Sequence, residues 1–507
     1  MITPLFEYGN LTNMKLLAQS IFFLWMFCGS VYAQPLFQGV GEQEDWMGTY
    51  FQGRKMGFTR VQTRWTPEAI EVDSTVFFQI RSESVDQSTT IKQKTRLSSD
   101  FKLLGFSLLQ EITGHRQQIE GRMEGNRLTY RVKSRGFDKE KSMDLPPDAL
   151  PSSTFLLNLM VNGLEVGQKG TLPLFLESFQ MLVDLEYEVL RRESLEYEGK
   201  SVETFAIKQR FGGIETTMWV ADDGSVIKET TNQGFESFKE SAEVAQKLEE
   251  PLTVSSLITM SLVKPSKPIE RPGRVREIIF HLKPLRSSDL VPQDHRQKIL
   301  TTETLPNGFY RTTLAVKTEP EMISGSSSWP KESSLDPKYL EDSAEVQSRH
   351  PMIRALAREL AGETQNVWQV ALDINRWVHI NLEKELVDTV TALDALHERR
   401  GECQSHTYLF TALARAAGIP TRIVNGLVYS KEYAGFLYHA WPEVYVGEWR
   451  ALDPTFGQSV VDATHIKLAE GAKGRPFELM EFFGKIKIDW STRHGANQQY
   501  LYRINKY

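Results

Sequence analysis

The chain has very little cysteine: only Cys28 and Cys403 occur in 507 residues. So few thiols exclude a fold held together by a framework of disulfides. A large excess of one charge is also missing, because 59 Lys and Arg face 65 Asp and Glu, and the formal net charge is -6. This balance provides no basic surface for nucleic acid or for an anionic membrane, so nucleic acid is not an expected partner.

Nothing in the bulk composition points to a fibrous or disordered protein. The sequence is 40% hydrophobic and 24% charged, as is usual for globular domains. Its length allows about three domains with proper cores. We find no internal repeat along the chain.

An apolar run from Leu16 to Gly29 is followed by small residues that end at Ala33. This pattern predicts a secretory signal that is cleaved after Ala33, and therefore an exported protein, periplasmic or secreted. An uncleaved anchor is the alternative, although a spanning helix needs about 20 apolar residues. Met14 is a second candidate for the start. Cleavage would remove Cys28 and leave Cys403 as the single cysteine.

Between residues 40 and 250 the apolar positions alternate with polar ones, as at Ile70, Val72, Val76, Phe78 and Ile80. Alternation of this kind is typical of strands with one face in water. Turn-forming pairs such as Gly125-Asn126 and Asp223-Gly224 separate the strands. We predict a large antiparallel all-β domain with one helix near Thr154 to Val161.

Prolines and glycines then divide the rest of the chain. A linker around Pro265 to Gly273 precedes a small β-rich segment, and a second linker runs from Glu319 to Pro337. After it, apolar residues recur every three or four positions, which predicts two amphipathic helices. The predicted organisation is a signal peptide at 1–33, a β domain at 40–250, a β-rich segment at 266–320 and a final domain at 338–507.

Cys403 lies where a helix is expected to begin. Gly401 interrupts the chain just before it, and a helix-forming run continues to Gly418. Unpaired N–H groups and the dipole at a helix start favour a thiolate. The same N–H groups can hold a developing oxyanion.

A predicted hairpin brings a histidine near an aspartate. The segment Tyr438 to Val446 is typical of a strand, Gly447-Glu448 of a turn, and the chain then returns through Asp453. Folding at that turn places Asp453 opposite Pro442 and about three residues from His439. Cysteine, histidine and aspartate match a thiol nucleophile, its base and the group that orients the base.

The C-terminal sequence resembles the transglutaminase-like superfamily, a branch of the papain-like folds. The resemblance covers about Tyr339 to Glu470. It is carried by G-E-C at Gly401–Cys403, A-A-G-I-P-T-R at Ala416–Arg422, H-A-W-P-E-V-Y at His439–Tyr445, W-R-A-L-D-P-T at Trp449–Thr455 and D-A-T-H at Asp462–His465.

This resemblance implies an α+β protein whose papain-like domain follows the β regions. It implies Cys403 as nucleophile, His439 as general base and acid, and Asp453 as the orienting carboxylate, with no cofactor and no metal. The expected activity is acyl transfer through a thioester, by hydrolysis or by transfer to an amine, on peptide, protein or cell-wall amides. Peripheral association with the cell envelope is a further expectation. The alternative is an envelope binding or assembly protein with an idle triad.

Animal members of this family use an upstream tryptophan as an oxyanion partner, but the loop from Asn381 to Asp394 contains none. The resemblance therefore leaves the second oxyanion donor unassigned.

Several other side chains have competing interpretations. His406 forms C-x-x-H with Cys403, but two ligands without a second pair favour packing over zinc. Trp441 and Tyr438 either line a cleft or fill the core. Arg422 and Glu443 are expected to form a structural ion pair. We expect His465 in a loop or turn without a catalytic role, and His379 and His397 as surface or capping residues.

Overall fold

In the computed structural model, the described residues are 41–82, 85–253, 262–287, 290–320, 335–385, 391–471 and 485–491, with Leu479 and Phe482. The predicted signal segment, Cys28 and most of the second predicted linker lie outside them. The described residues divide into two compact units, the first at residues 41–253 and the second at residues 262–491. Among the described residues, no helix has the length and apolar character needed to span a membrane.

The first unit is built almost entirely of strands. They are β1 Gly41–Phe51, β2 Arg54–Trp65, β3 Ile70–Ser82, β4 Val85–Leu97, β5 Leu103–Ile112, β6 His115–Glu124, β7 Arg127–Ser134, β8 Phe137–Asp144, β9 Leu150–Pro151, β10 Lys169–Leu176, β11 Met181–Tyr197, β12 Lys200–Phe211, β13 Ile214–Ala221, β14 Val226–Thr231, β15 Phe235–Glu240 and β16 Leu252–Thr253. Two helices accompany them, α1 Phe155–Asn162 and α2 Ala242–Gln246.

These strands form one 16-stranded sheet in the order β8-β7-β6-β5-β4-β3-β2-β1-β15-β14-β13-β12-β11-β10-β9, with β16 beside β3. Neighbouring strands are antiparallel, with two exceptions: β9 pairs with β10 in parallel, and β16 pairs with β3 in parallel. Hairpin connections explain this order, because β1 to β8 and β10 to β15 each pair with the next strand in the chain. The predicted antiparallel β architecture is confirmed, and α1 lies at the predicted interruption.

The second unit contains the remaining elements. Its strands are β17 Glu277–Leu285, β18 Gln297–Thr304, β19 Tyr310–Lys317, β20 Glu383–Lys384, β21 Arg400–Gly401, β22 Thr421–Ser430, β23 Gly435–Tyr445, β24 Trp449–Ala451, β25 Ile466–Gly471 and β26 Lys487–Ser491. Its helices are α3 Pro351–Ala361, α4 Val367–Asn381, α5 Ala392–Glu398 and α6 Cys403–Ala416.

The β-rich segment predicted at 266–320 supplies three strands of a four-stranded sheet, in the order β18-β19-β17-β26. The fourth strand, β26, comes from near the end of the chain and pairs with β17 from Ile279 to Lys283. A strand near the end of the final domain predicted at 338–507 thus pairs with the segment that precedes that domain. The periodicity of 266–320 alone contains no signal for that long-range pairing.

The other sheet of this unit has the order β24-β23-β22-β25 and packs against helix α6. Helix α6 is buried along nearly its whole length, and helices α3, α4 and α5 all contact it. The core between them contains Ile353, Ile374, Leu409, Phe410 and Leu413. Burial on every side makes α6 a rigid support for its first residue, Cys403.

Buried ion pairs join the two four-stranded sheets of the second unit. Lys467 on β25 is fully buried, and its Nζ lies 2.5 Å from Asp294, 2.7 Å from Glu443 and 3.1 Å from Glu470. Arg422 pairs with Glu443 at 2.6 Å, as expected from the sequence. The carboxylates of β23 and of the loop before β18 thus share one buried ammonium.

Candidate active site

Cys403 is the first residue of helix α6, as predicted, and is only 1% exposed. The N-cap of this helix is Glu402, whose carboxylate accepts a hydrogen bond from the backbone N–H of Gln404. The Cys403 thiol donates to the same Glu402 Oε2 over 3.4 Å. The sequence analysis considered only the N–H groups at this helix start. The structure adds an anionic cap in direct contact with the thiol.

His439 and Asp453 lie in hydrogen-bond contact. His439 Nε2 is 2.8 Å from Asp453 Oδ2, and both side chains are fully buried. Because the carboxylate can only accept, the proton of a neutral His439 lies on Nε2. Its Nδ1 then carries a lone pair, and that atom is buried without a hydrogen-bond partner among the described residues. The imidazole is therefore oriented as a base.

The register of the hairpin differs by one residue from the prediction. Strand β24 pairs Tyr445 with Trp449 and Glu443 with Ala451, and Leu452 then donates to the carbonyl of Pro442. Asp453 was expected opposite Pro442, but it leaves the ladder one residue later and forms a bridge with Gln458 instead. This turn out of the strand directs the carboxylate towards His439.

Four donors hold the Asp453 carboxylate. Its Oδ1 accepts from the backbone N–H groups of Thr455 and Phe456 at 2.8 and 3.1 Å. Its Oδ2 faces both His439 and His465. Burial opposes ionisation, but the attraction and hydrogen bonds of the two imidazoles hold the pKa of Asp453 far below its usual range. The carboxylate is therefore ionised and fixed in one orientation.

Helix α6 and strand β23 meet beside these residues. Thr407 lies one helical turn after Cys403 and donates its hydroxyl to the carbonyl of Ala440 over 3.0 Å. Ala440 follows His439 directly, so this bond ties the helix that begins at Cys403 to the strand that carries His439. The structure thus places Cys403 and His439 on elements in direct contact, while their catalytic roles stay a prediction.

His465 lies in the loop before strand β25, as expected, and the structure adds contacts that the sequence did not predict. It is fully buried, its Nε2 lies 3.1 Å from Asp453 Oδ2, and its Nδ1 lies 3.3 Å from Asp462 Oδ1. Trp441 packs against both imidazoles, with ring centroids 6.0 Å from His439 and 5.2 Å from His465. In the sequence, His465 is marked only by the D-A-T-H motif. Its contact with Asp453 could not be predicted, because the distance between the two residues depends on where strand β25 pairs.

His406 is fully buried on α6, and its Nδ1 donates to the carbonyl of Glu402 over 2.9 Å. Burial lowers the pKa of His406 to about 4, so the ring is neutral near pH 7. A neutral ring bonded to its own helix agrees with the packing interpretation. Trp441 and Tyr438 are also fully buried, as core residues are.

The two histidines that were expected to be surface or capping residues differ in their burial. His397 is exposed at the end of α5, as expected for a surface residue. His379 is half-buried, and its Nδ1 donates to the carbonyl of Pro454, the residue after Asp453. It therefore supports the loop that carries the carboxylate.

Among the described residues, His439, Asp453 and His465 present donor atoms within 4.8 Å of one another, close enough to consider a metal ion. Metal ligands direct their lone pairs at a common point that the ion occupies. Here both imidazole nitrogens are directed at Asp453 Oδ2 itself, so the oxygen takes that position. The geometry is that of a hydrogen-bond network.

Comparison with known proteins gives the same family as the motifs. The model of the transglutaminase-like superfamily matches residues 354–454, a span that contains Cys403, His439 and Asp453. A protein-glutamine gamma-glutamyltransferase of Pseudomonas aeruginosa is 32% identical over 150 residues, which are 26% of this chain and 22% of that protein. An uncharacterized protein of Mycobacterium leprae is 38% identical over 71 residues, which are 13% of this chain and 25% of that protein. The chain thus spans about a quarter of the length of these curated relatives.

Solved structures with partial similarity include a candidate cysteine protease from Cytophaga hutchinsonii, with 20% identity, 43% of this chain and 87% of that chain covered, and a TM-score of 0.30. Another is a β-barrel-like protein of Brucella abortus, with 11% identity, coverage of 40% and 95%, and a TM-score of 0.31. With TM-scores this low, the assignment depends on the sequence match and on the motifs around the site. Residues 354–454 of this chain thus form a domain that matches the transglutaminase-like superfamily.

Proposed function

We propose that this protein is a cysteine-dependent acyl-transfer enzyme in which Cys403 is the nucleophile, His439 the base and Asp453 the group that orients the base. The observation that carries the proposal is the buried hydrogen bond from His439 Nε2 to Asp453, which leaves Nδ1 as an acceptor with no hydrogen-bond partner in the described part of the chain. A histidine held in this way is prepared to accept a proton from a thiol.

In the proposed reaction, His439 Nδ1 takes the proton of Cys403, and Sγ forms a bond to the carbonyl carbon of an amide. The amide C–N bond then breaks, and the same proton leaves with the amine, so that a thioester remains. Water or a second amine attacks the thioester, the C–S bond breaks, and the acid or a new amide is released. The Asp453 carboxylate stabilises the imidazolium that exists between these proton transfers.

The proposed oxyanion donor is the backbone N–H of Cys403 at the start of α6, where N–H groups lack partners within the helix. The helix also directs its positive dipole end towards this position.

Alkylation of Cys403 by iodoacetamide, quantified by peptide mass spectrometry as a function of pH, tests the triad. We expect rapid reaction near neutral pH, because a thiolate–imidazolium pair forms below the usual thiol pKa of about 8.5. In His439→Ala the reaction should occur only above about pH 8. His397→Ala, which removes an exposed histidine, is the matched control. Wild-type reactivity confined to alkaline pH would contradict the proposal.

We propose peptide, protein or cell-wall amides as substrates. We also propose that the protein is exported and acts in the periplasm or outside the cell. The match to a glutamyltransferase supports transfer of the acyl group to an amine. The motifs, which resemble those of transglutaminase-like hydrolases, favour hydrolysis by water. Mass spectrometry of envelope material incubated with wild-type protein or with Cys403→Ala separates the two. Cleaved amides indicate hydrolysis, and new isopeptide links indicate transfer.

One observation favours the alternative, a binding or assembly protein with an idle triad. Both Cys403 and His439 are buried, and the thiol is held by Glu402 rather than exposed to solvent. An idle site would leave amides unchanged in that incubation, and Cys403→Ala would preserve the cellular phenotype. The pH profile of alkylation and this phenotype together decide between the two functions.

A further inference from the structure

Asp453 serves two histidines at once. Both imidazole Nε2 atoms approach the same oxygen, Oδ2, at 2.8 Å from His439 and 3.1 Å from His465. His439 precedes Ala440, whose carbonyl accepts from Thr407 on the helix that begins at Cys403. The second imidazole thus approaches the orienting carboxylate from the side of strand β25, whose first residue follows His465.

The protons of His465 follow from its partners. Its Nε2 faces Asp453, and its Nδ1 faces Asp462 Oδ1 over 3.3 Å. Asp462 also accepts from the N–H and the hydroxyl of Thr464, at 2.8 and 2.5 Å, so it is held as an ionised acceptor like Asp453. A ring between two carboxylates makes both contacts only when both of its nitrogens carry protons.

We propose that His465 is a doubly protonated positioning residue that is held between Asp453 and Asp462, fixes the Asp453 carboxylate against His439, and offsets its negative charge. This proposal deepens the proposed function, on which it rests for its effect on Cys403. The pKa of His465 agrees with it: burial lowers that pKa, but the hydrogen bonds and charges of the two carboxylates raise it above the ordinary value.

The charges of the network then balance during catalysis. When His439 accepts the thiol proton, two imidazolium rings face two carboxylates in a buried, aromatic-lined environment. Without His465, a single imidazolium would face two carboxylates, and its proton would be harder to return to a leaving amine. His465 therefore keeps His439 able both to accept and to release a proton.

Other charged or titratable groups act on the same network from each surrounding element. Arg296 donates from Nη2 to the carbonyls of Asp462 and His465 at 3.1 and 2.9 Å. Among the described residues, the neighbouring elements also carry His379 on α4, Cys403, Glu402 and His406 on or beside α6, Lys384 on β20, and Lys467 on β25 with its own three carboxylates. None of these is replaced in His465→Gln or Asp462→Asn, so their contribution cancels between those two variants.

Nuclear magnetic resonance of the full chain labelled with ¹⁵N-histidine tests the protonation directly. The His465 signals are identified by their loss in His465→Gln. We expect both ring nitrogens to be protonated at pH 7.5, above the ordinary histidine pKa of about 6.5. One unprotonated nitrogen at that pH would overturn the proposal. This measurement does not involve Cys403, so it keeps its meaning even if the proposed enzymatic function fails.

The pH profile of Cys403 alkylation tests the charge. In His465→Gln, the amide nitrogen retains a donor towards Asp453 but the positive charge is lost, so both limbs of the profile should move to higher pH by about one unit. In Asp462→Asn a negative charge is lost, and both limbs should move to lower pH. His397→Gln should leave the profile in place. A purely structural role would lower reactivity in both network variants without these opposite shifts, and that result would refute the proposal.

Discussion

Glu402 places a negative charge next to the proposed nucleophile, with its Oε2 3.4 Å from Cys403 Sγ. A carboxylate at this distance opposes formation of the Cys403 thiolate, whereas the dipole of helix α6 favours the thiolate. Glu402→Gln retains an acceptor for the N–H of Gln404 and removes the charge. We predict that the variant is alkylated about tenfold faster at pH 6.5, because one pKa unit corresponds to a tenfold change in thiolate.

The control for this prediction is Glu398→Gln, which removes an exposed carboxylate on the preceding helix. It should leave the alkylation rate unchanged. A rate for Glu402→Gln equal to or below that of the wild type would show that the carboxylate does not restrain the thiol.

Among the elements, strand β22 depends on one glycine to bring its neighbours together. Gly426 pairs with His439 on β23, and the ladder to β25 shifts register at this residue. A Cβ at Gly426 would lie 2.0 Å from the carbonyl oxygen of Ile466 and 2.8 Å from the ring of Trp441. The absence of a Cβ at Gly426 is therefore what allows β25 to place His465 beside Asp453.

We predict that Gly426→Ala destabilises the second unit by about 2 kcal/mol or more, because a backbone atom has to move. It should also disturb the resonances of His465. Urea unfolding followed by circular dichroism measures the first effect. Gly273→Ala, at a position with open space around it, is the matched control and should change little. Equal stabilities of the two variants would contradict this account of β25.

The loop after strand β10 contains a buried acid in the first unit. Glu177 is fully buried, accepts from the Ser152 hydroxyl over 2.6 Å, and has a pKa that burial raises to about 7. The unfolded chain releases this proton near pH 4.5, whereas the folded chain keeps it until about pH 7. Stability of this unit therefore falls as the pH rises between these values.

Glu177→Gln has no proton to lose, so we predict that it stabilises the first unit by up to about 3 kcal/mol at pH 8 and by little at pH 4.5. Urea unfolding at the two pH values measures the difference. Glu165→Gln, an exposed acid in the same unit, should show no such pH dependence. A stabilisation that is the same at both pH values would indicate packing rather than titration.

At the scale of the whole molecule, the buried ion pairs connect parts of the second unit that are far apart in the chain. Lys467 joins Asp294, Glu443 and Glu470, and Glu443 also pairs with Arg422. Removing one carboxylate from such a network leaves buried cations without compensation, which costs more than an exposed pair contributes.

We predict that Glu443→Gln destabilises the second unit by about 3 to 5 kcal/mol, as measured by urea unfolding. The control is Glu448→Gln, which breaks a pair between Arg450 and a half-exposed carboxylate and should cost about 1 kcal/mol or less. If Glu443→Gln lowers the free energy of unfolding no more than the control does, water reaches the network.

Much of the fold follows from local patterns. Alternating residues predict the antiparallel sheet, three- and four-residue spacing predicts α3 and α4, and Gly401 marks the start of α6. The hairpin that carries His439 and Asp453 is also predictable, apart from one residue of register. These features depend on neighbours in the chain, so periodicity and turn residues are sufficient to find them.

The sequence by itself determined the family that residues 354–454 match, the helix start at Cys403 and the approach of Asp453 to His439, because each depends on a short segment with its own motif. Tertiary structure alone decided that His465 shares Asp453, that Glu402 contacts the thiol, and that β26 completes the sheet of β17 to β19. The Glu402 contact depends on how two adjacent side chains are oriented, and the other two depend on strand pairing across long loops. Such distances are settled by packing, which short-range patterns do not encode.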